Sequence, residues 1–146
     1  MKPELFLGKE NEKRVKEAIR DAEKATSGEI VIHIESSCKE DVLDRAAWVF
    51  KTLKLHRTAQ RNGVLIYLST DDRKFAILGD AGINAVVPPG FWDEVKTTML
   101  GCFVEGRFAD GLEVGVTMAG EKLKEFFPYQ KDDVNELSDD ISYGTK

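Results

Sequence analysis

Asp71, Asp72 and Asp80 bracket the short apolar run Lys74 to Leu78, inside the stretch RNGVLIYLSTDDRKFAILGDAGIN that spans Arg61 to Asn84. Carboxylates on loops at converging strand ends suit a hard divalent cation, because calcium and magnesium draw oxygen ligands from several groups at once. Two gatherings follow from the order of the chain. One joins Asp80 with Glu29, and Asn84 with Glu105 or Asp110 would complete it; the other sets Asp71 and Asp72 beside Ser36, Glu40 and Asp41. The same residues have everyday roles that compete with this chemistry: Asp80 as a turn residue, Glu29 as an exposed strand end, Asp110 as a helix N-cap. On the sequence alone these everyday roles are the stronger reading of the first gathering. In the second, a hairpin turn with Arg73 paired to a nearby carboxylate accounts for at least one aspartate. The other stays a ligand candidate, since adjacent carboxylates on a loop repel and a cation relieves them.

Phosphoryl chemistry would need a nucleophile or a metal-activated water, together with positive charge for the transferring group. Arg73 and the basic loop holding Arg57 and Arg61 could bind phosphate. A cysteine phosphatase requires five residues between cysteine and arginine, whereas six separate Cys38 from Arg45 and four separate Cys102 from Arg107, so that mechanism is excluded. No strand is followed by Asp-x-Asp, and neither GxxxxGK[ST], GxGxxG nor an EF-hand loop is present. Ser27 lacks a GxSxG elbow. Two histidines are too few for a His-rich zinc site: His33 is expected to be packed on a strand and His56 to face solvent. Trp48 and Trp92 sit at helical spacing and are expected in the core. The two cysteines carry no CxxC spacing and read as free thiols.

The elements that position these residues follow from periodicity. Val15, Ala18, Ile19, Ala22 and Ala25 recur at helical spacing over residues 9 to 25, and Gly28 suits a left-handed cap after them. Glu29 to Glu35 is a β-branched strand, with Val31 and His33 on one face and Ile30, Ile32 and Ile34 on the other. A helix over Asp41 to Leu55, with Asp41 as N-cap, leads to a buried strand from Gly63 to Ser69. Strand, helix, strand order makes these two strands parallel through a right-handed crossover. The tight connection Thr70 to Arg73 makes Lys74 to Leu78 antiparallel to the second strand and puts Asp71 and Asp72 at one end of the sheet, Asp80 at the other. Phe91 to Met99 and Leu112 to Phe127 are further helices, the last ended by Pro128, with Gly115 and Gly120 permitting close packing. The order α-β-α-β-β-α-α predicts a three-layer α/β/α sandwich around a short mixed sheet.

At 146 residues the chain suits one domain, expected over residues 1–128, with an acidic tail over 129–146 that is either disordered or docked. A net charge of −5 argues against nucleic acid as a partner. Nowhere do eighteen apolar residues run together, so no membrane span and a cytoplasmic location are expected.

Thr26-Ser27-Gly28-Glu29 before an isoleucine-rich strand, Asn62-Gly63-Val64-Leu65-Ile66, Asp71-Asp72-Arg73, Gly79-Asp80-Ala81-Gly82-Ile83 and the segment FVEGRFADGL from Phe103 to Leu112 together resemble the TPM domain. This is the family of the thylakoid acid phosphatase, a photosystem II repair factor and a nematode acetylcholine receptor auxiliary protein. The resemblance covers about residues 10 to 128, in motif order as well as motif identity. It implies a Rossmann-like α/β/α sandwich, binding of a divalent cation such as calcium through acidic residues and, for the plant member, weak phosphatase activity. The family's metal binding brings the ligand reading of Glu29 and Asp80 level with the everyday one. Many exported members carry a membrane segment and a Gly-Tyr-Gly element after the hairpin; Gly79-Asp80-Ala81-Gly82 stands here instead, which places the chain with the soluble bacterial branch. The expectation is a protein that binds calcium or magnesium through loop carboxylates, with recruitment or hydrolysis of a phosphorylated ligand as its use. The alternative is a non-enzymatic module that holds a protein partner during assembly or repair.

Overall fold

The computed structural model describes residues 2–129 and 141–144. Strands β1 (Glu29–Glu35), β2 (Gly63–Ser69), β3 (Lys74–Gly79) and β4 (Ser142–Tyr143) form one sheet in the order β3-β2-β1-β4. β1 and β2 are parallel, β2 and β3 antiparallel, and β4 lies parallel to β1 with His33 opposite Ser142. The sheet is mixed, as the crossover and the hairpin require. Every residue of β1 and β2 is buried, the behaviour of central strands covered on both faces.

Among the described residues five helices cover the sheet: α1 (Lys9–Glu23), α2 (Val42–Thr52), α3 (Ala81–Asn84), α4 (Asp93–Phe103) and α5 (Phe108–Phe126). Ile30, Ile32, Ile34, Val64, Ile66 and Leu68 form one face of the sheet and share a core with Val15, Ile19, Met99, Leu112 and Val116 of α1, α4 and α5. The opposite face, Val31, Leu65, Tyr67 and Ala76, packs under Ala46 and Val49 of α2. Burying each large aliphatic side chain stabilises the fold by about 1.5–3 kcal/mol. α1 and α5 approach closely because Gly120 faces Ala22, where a Cβ would come within 2.8 Å of the alanine Cβ.

Several boundaries differ from expectation. α1 ends at Glu23, and Gly28 is no left-handed cap, since the glycines with positive φ are Gly8, Gly90 and Gly106. Gly28 instead leaves room for Leu123, whose Cδ1 would stand 3.0 Å from an added Cβ. α4 begins at Asp93 and continues through Gly101 to Phe103, and α5 begins at Phe108, so Asp110 sits inside its first turn while Arg107 holds the cap position. Asp41 does cap α2, accepting from the backbone N–H groups of Leu43 and Asp44 at 2.9 and 3.2 Å. Trp48 is not a core residue: it is 54% exposed and lies under the Arg45 guanidinium, 4.3 Å from its ring centre. His56 is half-buried rather than solvent-facing, with Nδ1 out of contact with solvent. α3 and β4 were not expected. Of the acidic tail, Ile141 to Gly144 lie along β1, where the Gly144 N–H donates to the Ile34 carbonyl at 2.8 Å; residues 130–140 are outside the described residues.

Candidate functional site

Glu29, Gly63 and Asp80 form a row across three strands. Glu29 is paired with Gly63 in register, and the Asp80 N–H donates to the Gly63 carbonyl at 3.0 Å. Alternation puts all three on the α2 face, because Val31, Leu65 and Leu78, two residues from each along their strands, lie there. The carboxylates are roughly 10 Å apart at their Cα atoms, two strand spacings, and both are buried, at 4% exposure for Glu29 and 6% for Asp80. The glycine between them is required sterically: a Cβ on Gly63 would stand 2.7 Å from the carbonyl oxygen of Leu55. That carbonyl, from the turn after α2, therefore sits over the gap between the two acids.

Asp80 is already partnered. Arg61 Nε and an Nη donate to its two oxygens at 2.7 and 2.9 Å, and the Ala81 N–H donates to Oδ1 at 2.7 Å, so the aspartate also starts α3. Arg61 holds this position from a left-handed backbone, φ 52°, and its side chain is half exposed. Glycine is again needed nearby, since a Cβ on Gly82 would meet the carbonyl oxygens of Gln60 and Arg61 at 2.0 and 2.7 Å.

The remaining predicted ligands are elsewhere. Asn84 follows on α3, but its side chain donates to the Gly79 carbonyl at 3.1 Å and is exposed. Glu105 and Asp110 do not complete the row. α5 runs from the hairpin end, where Phe103 packs between Phe75 and Phe108, to the far end, where the Ser27 N–H donates to the Phe127 carbonyl at 2.9 Å. Asp110 thus begins α5 at the opposite end of the sheet from Asp80. Arg107 pairs with Glu105 at 2.6 Å and with Asp110 at 3.3 Å, and Arg14 of α1 also pairs with Asp110. At the hairpin, Asp72 accepts from the Cys38 N–H and from the Ser69 hydroxyl, which with Lys74 and Lys39 lowers its pKa despite the cost of desolvation. The neighbouring Asp71 N–H donates to the Ser36 carbonyl at 2.7 Å, so this loop is zipped to residues 36–38 through backbone and Asp72 together. Arg73, exposed at φ 54°, takes no part in the ion pairs among the described residues, and it lies at the hairpin while Arg61 lies at the Asp80 end. Arg57 ends the turn Leu55–Arg57 after α2 and is exposed. The three arginines named for phosphate do not converge. Among the described residues no three histidine, cysteine, aspartate or glutamate side chains meet in a way that could hold a metal ion.

A second buried polar group was not read from the sequence. Glu35, at the carboxyl end of β1, accepts from Arg45 of α2 at 3.0 Å and from the Tyr67 hydroxyl, and His33 Nε2 lies 3.2 Å from its Oε1. Burial favours the protonated carboxyl, but Arg45, Tyr67 and His33 outweigh it and bring Glu35 from 4.5 down to about 2. Burial and then Glu35 push the Tyr67 phenol up, and burial lowers His33 against the pull of the same carboxylate. Ser142 of β4 completes the set, 2.9 Å from His33 Nδ1. The signal available in the sequence was His33 two residues before Glu35, on the same face of β1; the other partners, Arg45 and Tyr67, carry no spacing that marks them.

The sequence profile of the TPM domain matches residues 2–122. The chain belongs to the TPM-domain family. Among solved structures, this TPM domain is similar to the NMR structure of the BA42 protein from the psychrophilic bacterium Bizionia argentinensis, with 48% identity, 97% of each chain covered and a TM-score of 0.92. An N-terminal domain from P. gingivalis shares the fold at 19% identity and a TM-score of 0.68, covering 86% of this chain and 83% of that one. The N-terminal domain of cg2496 from Corynebacterium glutamicum does so at 12% identity and a TM-score of 0.60, covering 90% and 76%. Curated proteins give no match. In the described part of this TPM domain, no helix is long and apolar enough to cross a membrane.

Proposed function

We propose that this TPM domain binds a hard divalent cation, calcium or magnesium, at the row formed by Glu29, Gly63 and Asp80. The observation that supports it is the Leu55 carbonyl standing over the glycine between two buried carboxylates. The donors are all oxygens, which suits calcium and magnesium and not zinc or copper. Two carboxylates and one carbonyl leave positions for water, the way magnesium in particular is held. Glu29 and Asp80 would be the charged ligands and Leu55 the neutral one. Arg61 is then a competitor, because its guanidinium now neutralises the carboxylate the ion would take. The ion would exchange places with a half-exposed side chain that can swing into solvent.

A hydrolytic use of the site would draw on a metal-bound water, with Arg61, once released, or Arg57 available to a phosphate. The cation is the first thing to establish. Isothermal titration with calcium and with magnesium, run beside thermal unfolding, tests it on the wild type and on Arg61→Gln, Asp80→Asn and Glu29→Gln. A ligand at a hundred times its dissociation constant raises stability by about 2.7 kcal/mol. The expected result is binding that tightens severalfold in Arg61→Gln and disappears in Asp80→Asn. Binding that ignores Arg61 and Asp80 places the ion elsewhere, and no heat or shift in any variant removes the cation from this domain.

A further inference from the structure

At the end of the sheet opposite Glu29 and Asp80, the hairpin, α4 and the start of α5 enclose an open cavity of about 200 Å³. Its wall is aromatic. Phe103 stands edge-on to Phe75 with ring centres 5.0 Å apart and stacks on Phe108 at 5.4 Å, so three strand and helix ends meet on one rigid surface. Its mouth is apolar as well: Leu100 is 50% and Val104 71% exposed, the latter the highest exposure among the large hydrophobic residues of the described chain. Leaving such side chains in water costs stability, and a contiguous patch of them marks a surface that something else covers. The one charged residue on the lining is Arg73, whose left-handed turn conformation holds it at the rim.

We propose that this cavity is a docking site for a partner protein segment carrying one bulky apolar side chain followed closely by a carboxylate. The volume admits a single phenylalanine- or leucine-sized group and no helix face, so recognition is by one anchor in a pocket, the arrangement that dominates small interfaces. Charge complementarity chooses the neighbour: Arg73 is the charged residue that lines the cavity and makes no ion pair among the described residues, Asp72 beside it is held by the Cys38 N–H and the Ser69 hydroxyl, and Glu105 of the α4–α5 turn and Asp110 of α5 are matched by Arg107 and Arg14, which leaves Arg73 to meet the ligand's acid. An aromatic floor adds face and edge contacts that an aliphatic pocket lacks. The site is independent of the cation row, which lies at the other end of the sheet.

The test uses the full chain and a fluorescent heptapeptide with one phenylalanine followed by two aspartates, read by anisotropy and by amide shifts in a nitrogen-15 spectrum. Two control peptides replace the phenylalanine by alanine or the aspartates by lysines. Saturable binding below about 1 mM is expected, with shifts at residues 73–75 and 100–108, and a loss of about tenfold on removing the phenylalanine or introducing Val104→Asp. Arg73→Glu should weaken the aspartate peptide severalfold and favour the lysine peptide. Val104 and Arg73 are exposed, so both variants keep the wild-type melting temperature. Equal binding of the aspartate and lysine peptides, shifts elsewhere on the domain, or no saturation overturns the proposal. So does a concentration-dependent dimer in sedimentation that Val104→Asp dissolves, which would make a second copy the occupant.

Discussion

Arg45 Nε reaches from α2 to donate to Glu35 Oε2 at 3.0 Å, beneath a carboxylate that is 2% exposed. Removing one member of a buried pair leaves the other charge without its match, which costs about 3–5 kcal/mol when both are fully buried. Arg45 keeps 24% side-chain exposure and can turn to water, so Glu35→Gln should cost on the order of 2–3 kcal/mol. Urea unfolding at neutral pH measures it, with Arg45→Lys as the milder comparison because an ammonium cannot reproduce the two-pronged contact.

The same pair sets the acid limit. The folded-state pKa of Glu35 is depressed from 4.5 to about 2, so its contribution is complete above 4.5 and fades as pH falls toward 2. A shift of that size corresponds to about 3 kcal/mol. His33 adds in the same direction: burial lowers its pKa below 6.5, so stability begins to fall once the unfolded chain takes up that proton, below 6.5. Unfolding free energies measured from pH 7 to pH 2 should show the wild type losing its advantage over Glu35→Gln below pH 4.5. A gap that persists unchanged to pH 2 contradicts the assignment.

The layout of strands and the pairing of the hairpin were legible because short apolar runs bounded by turn residues leave few alternatives. Helix ends were less legible. The helix expected to end at Met99 continues to Phe103: Gly101 sits on an open face of α4 with no atom within 4 Å of its Cβ position, and the helix runs through it. The candidate row was half legible: Glu29 and Asp80 follow from strand register, but the Leu55 carbonyl over Gly63 is backbone and has no residue signature. Asp110 was misplaced because its end of α5 depends on which way that helix crosses the sheet, and periodicity carries no direction. Trp48 read as core on its size and apolar character, whereas it lies off the stripe of Val42, Ala46, Val49 and Leu53, on the line of Arg45 three residues before it, and cation–π stacking with Arg45 holds it outside.

The glycines give a graded test of packing against propensity. Gly101→Ala adds a methyl to open space and replaces the costlier helix residue, so it should stabilise by about 0.5–1 kcal/mol. Gly115→Ala meets the flexible Met99 thioether, 2.5 Å away, which can shift along its rotamers. Gly120→Ala meets Ala22 at both its Cβ, 2.8 Å, and its Cα, 3.2 Å, and neither can move without separating α1 from α5. The expected order of melting temperatures is Gly101→Ala above wild type, then Gly115→Ala, then Gly120→Ala, with the last losing about 1–3 kcal/mol. If Gly120→Ala melts with the wild type, the helices are not in the contact described.

β4 is two residues long, and side chains rather than ladder length hold it. The Tyr143 hydroxyl donates to Glu12 Oε2 of α1 at 2.7 Å, and Ser142 meets His33 on the other side. Tyr143 and Lys16 together lower the pKa of Glu12, while burial and the Glu12 charge push the Tyr143 phenol up, so the pair is poised with the carboxylate charged and the phenol intact. A hydrogen bond to a charged acceptor contributes about 1.5–3 kcal/mol, which is a large share of what a strand this short can derive from its backbone bonds. Tyr143→Phe should therefore release β4 locally before it lowers global stability. Amide exchange reads this directly: the Gly144 N–H, bonded to the Ile34 carbonyl, should lose protection by about tenfold or more, while amides of β2 keep theirs. A double-mutant cycle with Glu12→Gln should then show the two changes to be less than additive. Full additivity, or exchange at Gly144 equal to the wild type, would mean that Tyr143 does not hold the strand.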